Sequence, residues 1–333
     1  MASNRSNSRS QPRGEALLNI VGKRYWYFLL SLIIIVPGTI SLLVNGLKLG
    51  TDFTGGTEMT IQIPQASATS PLTGVVAPIA GGVSFVQPVL GTKCPTTCQY
   101  IVRTKSLDPN KLHAVKDAVA RRWPGSKGLI TESTVSGTIS KSLTQQAFIA
   151  VIAASIVILL YISFAFRNAP HPVRFGVAAL TAMLHDVLVV LGIFSILGAL
   201  LNVEVDAPFV TAMLTIIGFS VHDTIVIFDR IRENSARRTG EPFDVIVNHS
   251  ILQSFVRSIN TSFTVVLTLL AVFLFTGESI RFFVLAMLIG IISGTYSSIF
   301  NASQILVVWH NHEIRHFVER LLGRSPAEPA RAA

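Results

Sequence analysis

The sequence predicts a polytopic α-helical membrane protein: six transmembrane helices, with a small α+β domain between the first and the second. Three observations lead there. Half of the residues are hydrophobic and only 14% are charged, against about 25% charged in soluble domains. Several apolar runs are each long enough to cross about 30 Å of hydrocarbon. One long segment, residues 45–142, breaks this pattern with Gly, Pro, Thr and charges, and holds no run that could span.

Residues 1–24 are polar and include Arg5, Arg9, Arg13, Lys23 and Arg24. They read as a tail, not as a cleaved leader, because the apolar run that follows is too long for a signal peptide. That run, residues 25–44, carries no charge and opens on Tyr25, Trp26 and Tyr27, an aromatic anchor for a membrane interface. It is the first span.

Within residues 45–142, Met59, Ile61 and Ile63 alternate with Thr60 and Gln62, the period of a strand. Residues 64–82 are rich in small residues, Pro and Gly, and read as a mobile loop. Residues 83–90 and 99–103 read as strands on either side of Cys94-Pro-Thr-Thr-Cys98. These are the only two cysteines. Outside the cytoplasm a local disulfide between them is the natural expectation. Asp108-Pro109 opens a helix with Leu112, Val115 and Val119 on one face, and Pro124-Gly125 ends it. Residues 128–135 supply a last strand.

Five further spans are expected at residues 143–166, 175–201, 208–228, 251–275 and 282–309. A polar, amphipathic segment at 229–250 separates the fourth from the fifth, and residues 310–333 form a basic tail. Lys and Arg concentrate in the N-terminal tail, the 167–174 loop, the 229–250 segment and the C-terminal tail. The two short loops on the other side carry almost none, with Arg281 the one exception. By the positive-inside rule both termini are cytoplasmic and the α+β domain lies outside. The formal net charge of +9 is accounted for in the same way. No basic stripe interleaved with aromatics suggests nucleic acid.

The fourth span carries His222 and Asp223, and the third carries His185 and Asp186. A carboxylate at membrane depth is costly and marks a candidate functional site. Neighbouring residues on a helix point about 100° apart, so the two groups of each pair are expected not to face each other. One would point inward and the other bond a neighbour. The alternatives are a proton path through Asp223 or Asp186, polar glue between helices, and a metal site built from both pairs. Arg257, near the start of the fifth span, either snorkels to the surface or turns inward to pair with Asp223. In the sixth span Ala286, Gly290, Gly294, Ser298 and Ala302 place a small residue at every fourth position, a signal for tight packing around Gly290 and Gly294.

Three motifs, in this order, make the chain similar to a known family. They are Gly50-Thr51-Asp52-Phe53-Thr54-Gly55-Gly56-Thr57 after the first span, His222-Asp223-Thr224-Ile225-Val226-Ile227-Phe228-Asp229-Arg230-Ile231-Arg232-Glu233-Asn234 in the fourth, and Arg257-Ser258-Ile259-Asn260-Thr261-Ser262 in the fifth. From residue 25 to about 308 the chain resembles the SecF side of the SecD/SecF family, accessories of the bacterial protein translocase. The resemblance implies a resistance-nodulation-division fold with a ferredoxin-like domain outside the membrane. It implies pairing with SecD beside the SecY-E-G channel, contact with the translocating preprotein and with membrane lipids, and a place in the bacterial cytoplasmic membrane. It also implies that the proton-motive force drives late preprotein movement, with Asp223 as the proton-linked aspartate and Arg257 as its partner. Asp52, Phe53, Thr54, Gly55 and Gly56 match the family signature, and Asp229 and Arg230 match a structural cap at the end of the fourth span. His222 stands where many members have Asn. No enzyme activity, cofactor or metal is expected. A half-transporter exporting a small molecule or lipid is the alternative reading, and a metallo-hydrolase built on the two His-Asp pairs a third.

Overall fold

A computed structural model describes residues 18–63, 69–83, 85–88, 98–126, 130–167, 169 and 171–313. Among these are six helices long and apolar enough to cross a membrane. Helix α1 covers Arg24–Asn45. A single helical turn, α2 (Thr51–Thr54), leads into strand β1 (Gly56–Ile63). Then come α3 (Thr69–Ala80), β2 (Phe85–Pro88), β3 (Cys98–Thr104), α4 (Pro109–Arg122) and β4 (Ile130–Val135). The remaining helices are α5 (Gly137–Ala165), α6 (Pro172–Leu201), α7 (Ala207–Arg237), α8 (Phe243–Phe275) and α9 (Glu278–Ser297). A π-helical turn at Ser298–Ala302 joins α9 to α10 (Ser303–His310).

The α+β domain has the order β1-α3-β2-β3-α4-β4 and an antiparallel sheet ordered β2-β3-β1-β4. This is the ferredoxin-like split βαβ arrangement. The alternation in β1 sets it: Met59, Ile61 and Ile63 are fully buried. Met59 pairs with Val102 and Ile61 with Tyr100 across the ladder to β3. Val115 and Val119 of α4 close one side of this core.

The expected loop at 64–82 needs correction. Residues 69–80 are α3, and Leu72 and Val76 are buried against the sheet. Leu72, Val76, Ile79 and Ala80 lie three to four residues apart and share one face. Pro71 falls in the first turn, where its missing N–H costs nothing. The Pro and Gly content hid this pattern. Residues 64–68 lie outside the described residues.

Other boundaries shift in one direction, towards longer helices. Ser136 caps α5 by accepting from the Ile139 N–H at 3.3 Å, so that helix starts at Gly137 and not at 143. The 229–250 segment is not a separate element. α7 runs on to Arg237 and α8 begins at Phe243, leaving a short turn at 238–242. Asp229 and Arg230 therefore do not cap the helix. They form i,i+3 pairs, Arg232 with Asp229 at 2.7 Å and Arg230 with Glu233 at 2.6 Å, which support a helix running out past its apolar part. The expected tails at 1–24 and 310–333 lie mostly outside the described residues.

α6, α7 and the last span form the middle of the bundle. The most apolar windows of these three are 44%, 50% and 56% buried, against 11%, 6% and 11% for α1, α5 and α8. α1 crosses α6 at Gly38 and Gly192, where a Cβ on either glycine would come within 2.8 Å of the other's Cα. Gly290 and Gly294 lie against Ile216 and Ser220 of α7.

Candidate functional site

α7 is the helix that connects the polar features. At its N-terminus Asp206 accepts the Phe209 N–H at 3.1 Å, and Asp52 of the signature accepts the Ala207 N–H at 2.9 Å. Two carboxylates thus meet the free N–H groups and the positive end of the helix dipole. Backbone bonds fix the same junction: Gly50 N–H to Val205 at 2.8 Å, and Val205 N–H to Lys48 at 2.7 Å. Arg103 of β3 pairs with Glu58 at 2.7 Å and also with Glu204, in the loop before α7. Burial pushes the Asp206 carboxyl above the usual carboxylate range, with the nearby Asp52 adding to it. The Phe209 N–H and Arg103 act in the opposite direction.

The rest of the signature builds the turn from membrane to sheet. Phe53 packs on the apolar cluster around Phe194 and Phe209. The Thr54 hydroxyl donates to the Gly50 carbonyl at 3.0 Å. Gly56 has φ 135°, and a Cβ there would sit 2.5 Å from the Thr104 carbonyl oxygen, so only glycine fits.

Asp223 lies seventeen residues beyond Asp206, about 25 Å along the helix. It is buried, and among the described residues its one side-chain hydrogen bond comes from the Ser262 hydroxyl of α8 at 3.3 Å. Ser262 in turn accepts from Thr295 of α9 at 2.6 Å. His222 points outward, its side chain 65% exposed, with Nδ1 3.9 Å from the Asp223 carboxylate. Among the described residues His222 lacks the hydrogen bond to a neighbour expected of it, but this pair does divide, one group in and one out.

The other pair does not. His185 and Asp186 are both buried, and His185 Nδ1 stands 3.0 Å from Asp186 Oδ1. The expectation that neighbours cannot meet took account of Cβ directions and not of the reach of an imidazole turned back along its own helix. Three hydroxyls complete the site: Ser220 of α7 at 2.6 Å, and Ser293 and Ser297 of α9 at 2.7 Å each. Asp186 therefore has four partners, the number an ionised carboxylate can accept. His185 Nε2 extends the network to Ser31 of α1 at 3.1 Å. Ser31 accepts from Asn301, in the π-helical turn, at 2.9 Å. Sequence reasoning missed these serines. For Ser293 and Ser297 the signal was hydroxyls recurring through the sixth span, which was read only for small size; Ser220 on α7 and Ser31 on α1 carried no such pattern.

Arg257 is exposed, and among the described residues it forms no ion pair or side-chain hydrogen bond. It does not meet Asp223 in this conformation. Asn260, Thr261 and Thr264 of α8 are exposed as well. Among the described residues no three His, Cys, Asp or Glu side chains come together as a metal site would require, so the two His-Asp pairs do not form one. Cys98 is disulfide-bonded, while Cys94, the other member of the expected pair, lies outside the described residues.

Comparison with known proteins agrees with this architecture. Residues 115–312 match the family model "Protein export membrane protein SecD/SecF, C-terminal", and residues 40–63 match the SecD/SecF GG motif. The chain is 47% identical to the protein translocase subunit SecF of Thermobaculum terrenum over 311 residues, covering 91% of this chain and 98% of that one. It is 34% identical to SecDF of Bacillus subtilis, covering 89% of this chain and 39% of the longer protein. The crystal structure of SecDF from Thermus thermophilus, described as a translocon-associated membrane protein, superimposes with a TM-score of 0.76 at 30% identity, over 89% of this chain and 39% of that one. With the signature turn, the six spans and the ferredoxin-like domain all in their places, the chain belongs to the SecD/SecF family of protein export membrane proteins.

Proposed function

We propose that this protein is the SecF-type half of a SecD/SecF pair and couples the proton-motive force to late preprotein movement through the Sec channel, with Asp223 as the proton-carrying group. The contrast between the two intramembrane aspartates supports this role. Asp186 has four partners, while among the described residues Asp223 has one long bond. A buried charge with so little compensation is costly. A proton or a counter-charge relieves that cost, so Asp223 is the carboxyl with something to gain from either.

Arg257 supplies the counter-charge. It lies on α8, the helix that also holds Ser262, and the exposed polar face of Arg257, Asn260, Thr261 and Thr264 suits a protein neighbour better than lipid. SecD takes that place, as in the relatives where both halves form one chain. The positive-inside bias puts both termini in the cytoplasm and the ferredoxin-like domain outside, where it meets the preprotein beside the SecY-E-G channel. Export into membrane vesicles carrying the SecD pair tests the proposal. Asp223→Asn is expected to assemble normally and to abolish proton-dependent stimulation. Normal stimulation with that substitution would refute the role of Asp223.

A further inference from the structure

At the end of the bundle away from the ferredoxin-like domain is a cavity of about 240 Å³. It lies between the start of α6, the end of α7, the turn at 238–242, the start of α8 and α10. Arg174, Arg232, Arg238, His171 and His310 line it, with Glu241 as the one acid. The charges do not cancel. Glu241 pairs with Arg238 at 3.1 Å, and Arg232 with Asp229, outside the wall, at 2.7 Å. Arg238 also reaches His249 at 2.8 Å. Arg174 has no acidic partner among the described residues, and its guanidinium lies 5.8 Å from the centre of the Trp309 ring.

We propose that this cavity binds a phosphate-bearing anion, either the headgroup of an acidic phospholipid or free phosphate. Guanidinium forks match phosphate oxygens in geometry as well as charge. Three of them line the cavity; Asp229 and Glu241 offset two, and Arg174 is the positive charge to spare. Phe175 and Leu306 give the cavity an apolar floor, which suits the glycerol and first methylenes of a lipid. The volume falls just short of the roughly 300–1,000 Å³ of pockets that enclose a whole organic ligand, and fits a headgroup. The cavity also lies at the ends of the spans, where basic pockets between helices suit anionic headgroups.

The protein, purified from membranes containing phosphatidylglycerol and phosphatidylcholine, tests this by native mass spectrometry. Wild type is expected to retain phosphatidylglycerol selectively. Arg174→Gln and Arg238→Gln are each expected to reduce retention about fivefold, the value of one basic side chain near an anionic surface. Arg174→Lys keeps the charge and serves if the glutamine variant does not fold, with an intermediate loss expected because the fork is gone. Arg237→Gln, on an exposed side chain paired with Glu233, is expected to bind as wild type. In a second arm inorganic phosphate is added to delipidated protein and thermal unfolding is followed. Stabilisation of wild type but not of Arg174→Gln, without preference for phosphatidylglycerol, assigns the site to free phosphate. Equal lipid retention by all variants, with no response to phosphate, overturns the proposal.

Discussion

The Asp52 carboxylate accepts the backbone N–H of Ala207 at 2.9 Å and so joins the signature turn to the first residue of α7. One end of α7 is thereby fixed to the ferredoxin-like domain, and its middle carries Asp223. A helix of this length is stiff along its axis, so a shift at Asp223 has a direct route to the domain. Asp52→Ala removes one partner of the helix N-terminus, a change of about 1 kcal/mol. Hydrogen exchange is expected to rise at Ala207, which loses its acceptor, while the amides around Asp223 stay protected. Asp52→Asn keeps an acceptor and is expected to show less than half of that increase.

The same junction carries a pH dependence. Burial raises the Asp206 carboxyl in the folded protein above its ordinary value of 3.8. The folded state therefore binds this proton more tightly than the unfolded state. The contribution to stability is fully present below the unfolded value and is lost as pH rises through the folded one. Asn is as good a helix cap as Asp, and it does not titrate. Thermal unfolding of wild type against Asp206→Asn, in detergent from pH 4 upward, is expected to show wild type losing ground to the variant as pH rises. Parallel curves would contradict the assignment.

The two intramembrane aspartates are expected to respond differently to substitution. Asp186→Ala removes the partner of His185 Nδ1 and the acceptor of the Ser220 and Ser293 hydroxyls, while Ser297 retains the Gly294 carbonyl at 3.2 Å. At about 1–3 kcal/mol for a group left unsatisfied, the total loss is expected to be about 3 kcal/mol or more, read as a large drop in melting temperature or in yield. Asp223→Asn keeps an oxygen to accept the long bond from Ser262 and is expected to melt close to wild type. If Asp223→Asn were the less stable of the two, the division of roles between the aspartates would fail.

Gly38 and Gly192 set the distance between α1 and α6. Backbone lies on both sides of the contact, so no side chain can move aside. Gly38→Val is expected to cost about 1–3 kcal/mol and to loosen the Ser31–His185 bond about two turns away. Differential scanning fluorimetry on the purified variant checks the first effect. Gly218→Ala, on α7 with open space around it, is the matched control and is expected to be neutral.

Much of the architecture was legible from residue order. The spans follow from runs of apolar residues, β1 from strict alternation, and α4 from its apolar face behind Asp108-Pro109. α3 was not, because Pro71, Pro78 and Gly74 gave a loop composition to residues whose apolar face appears only against the sheet. The long ends of α7 and α8 were read as one polar segment because hydropathy reports the solvent around a helix, not where the helix stops. The i,i+3 pairs that continue α7 carry no hydropathy signal.

The sequence by itself determined that two carboxylates lie within apolar spans and that Arg257 is near enough along the chain to matter. Only the tertiary structure decided how each is placed. Asp186 is satisfied by serines up to 111 residues away, Asp223 has a single serine among the described residues, and Arg257 faces outward. The physical reason is that hydropathy is a local property of a stretch of chain. Whether a buried acceptor is satisfied depends on which helices pack beside it.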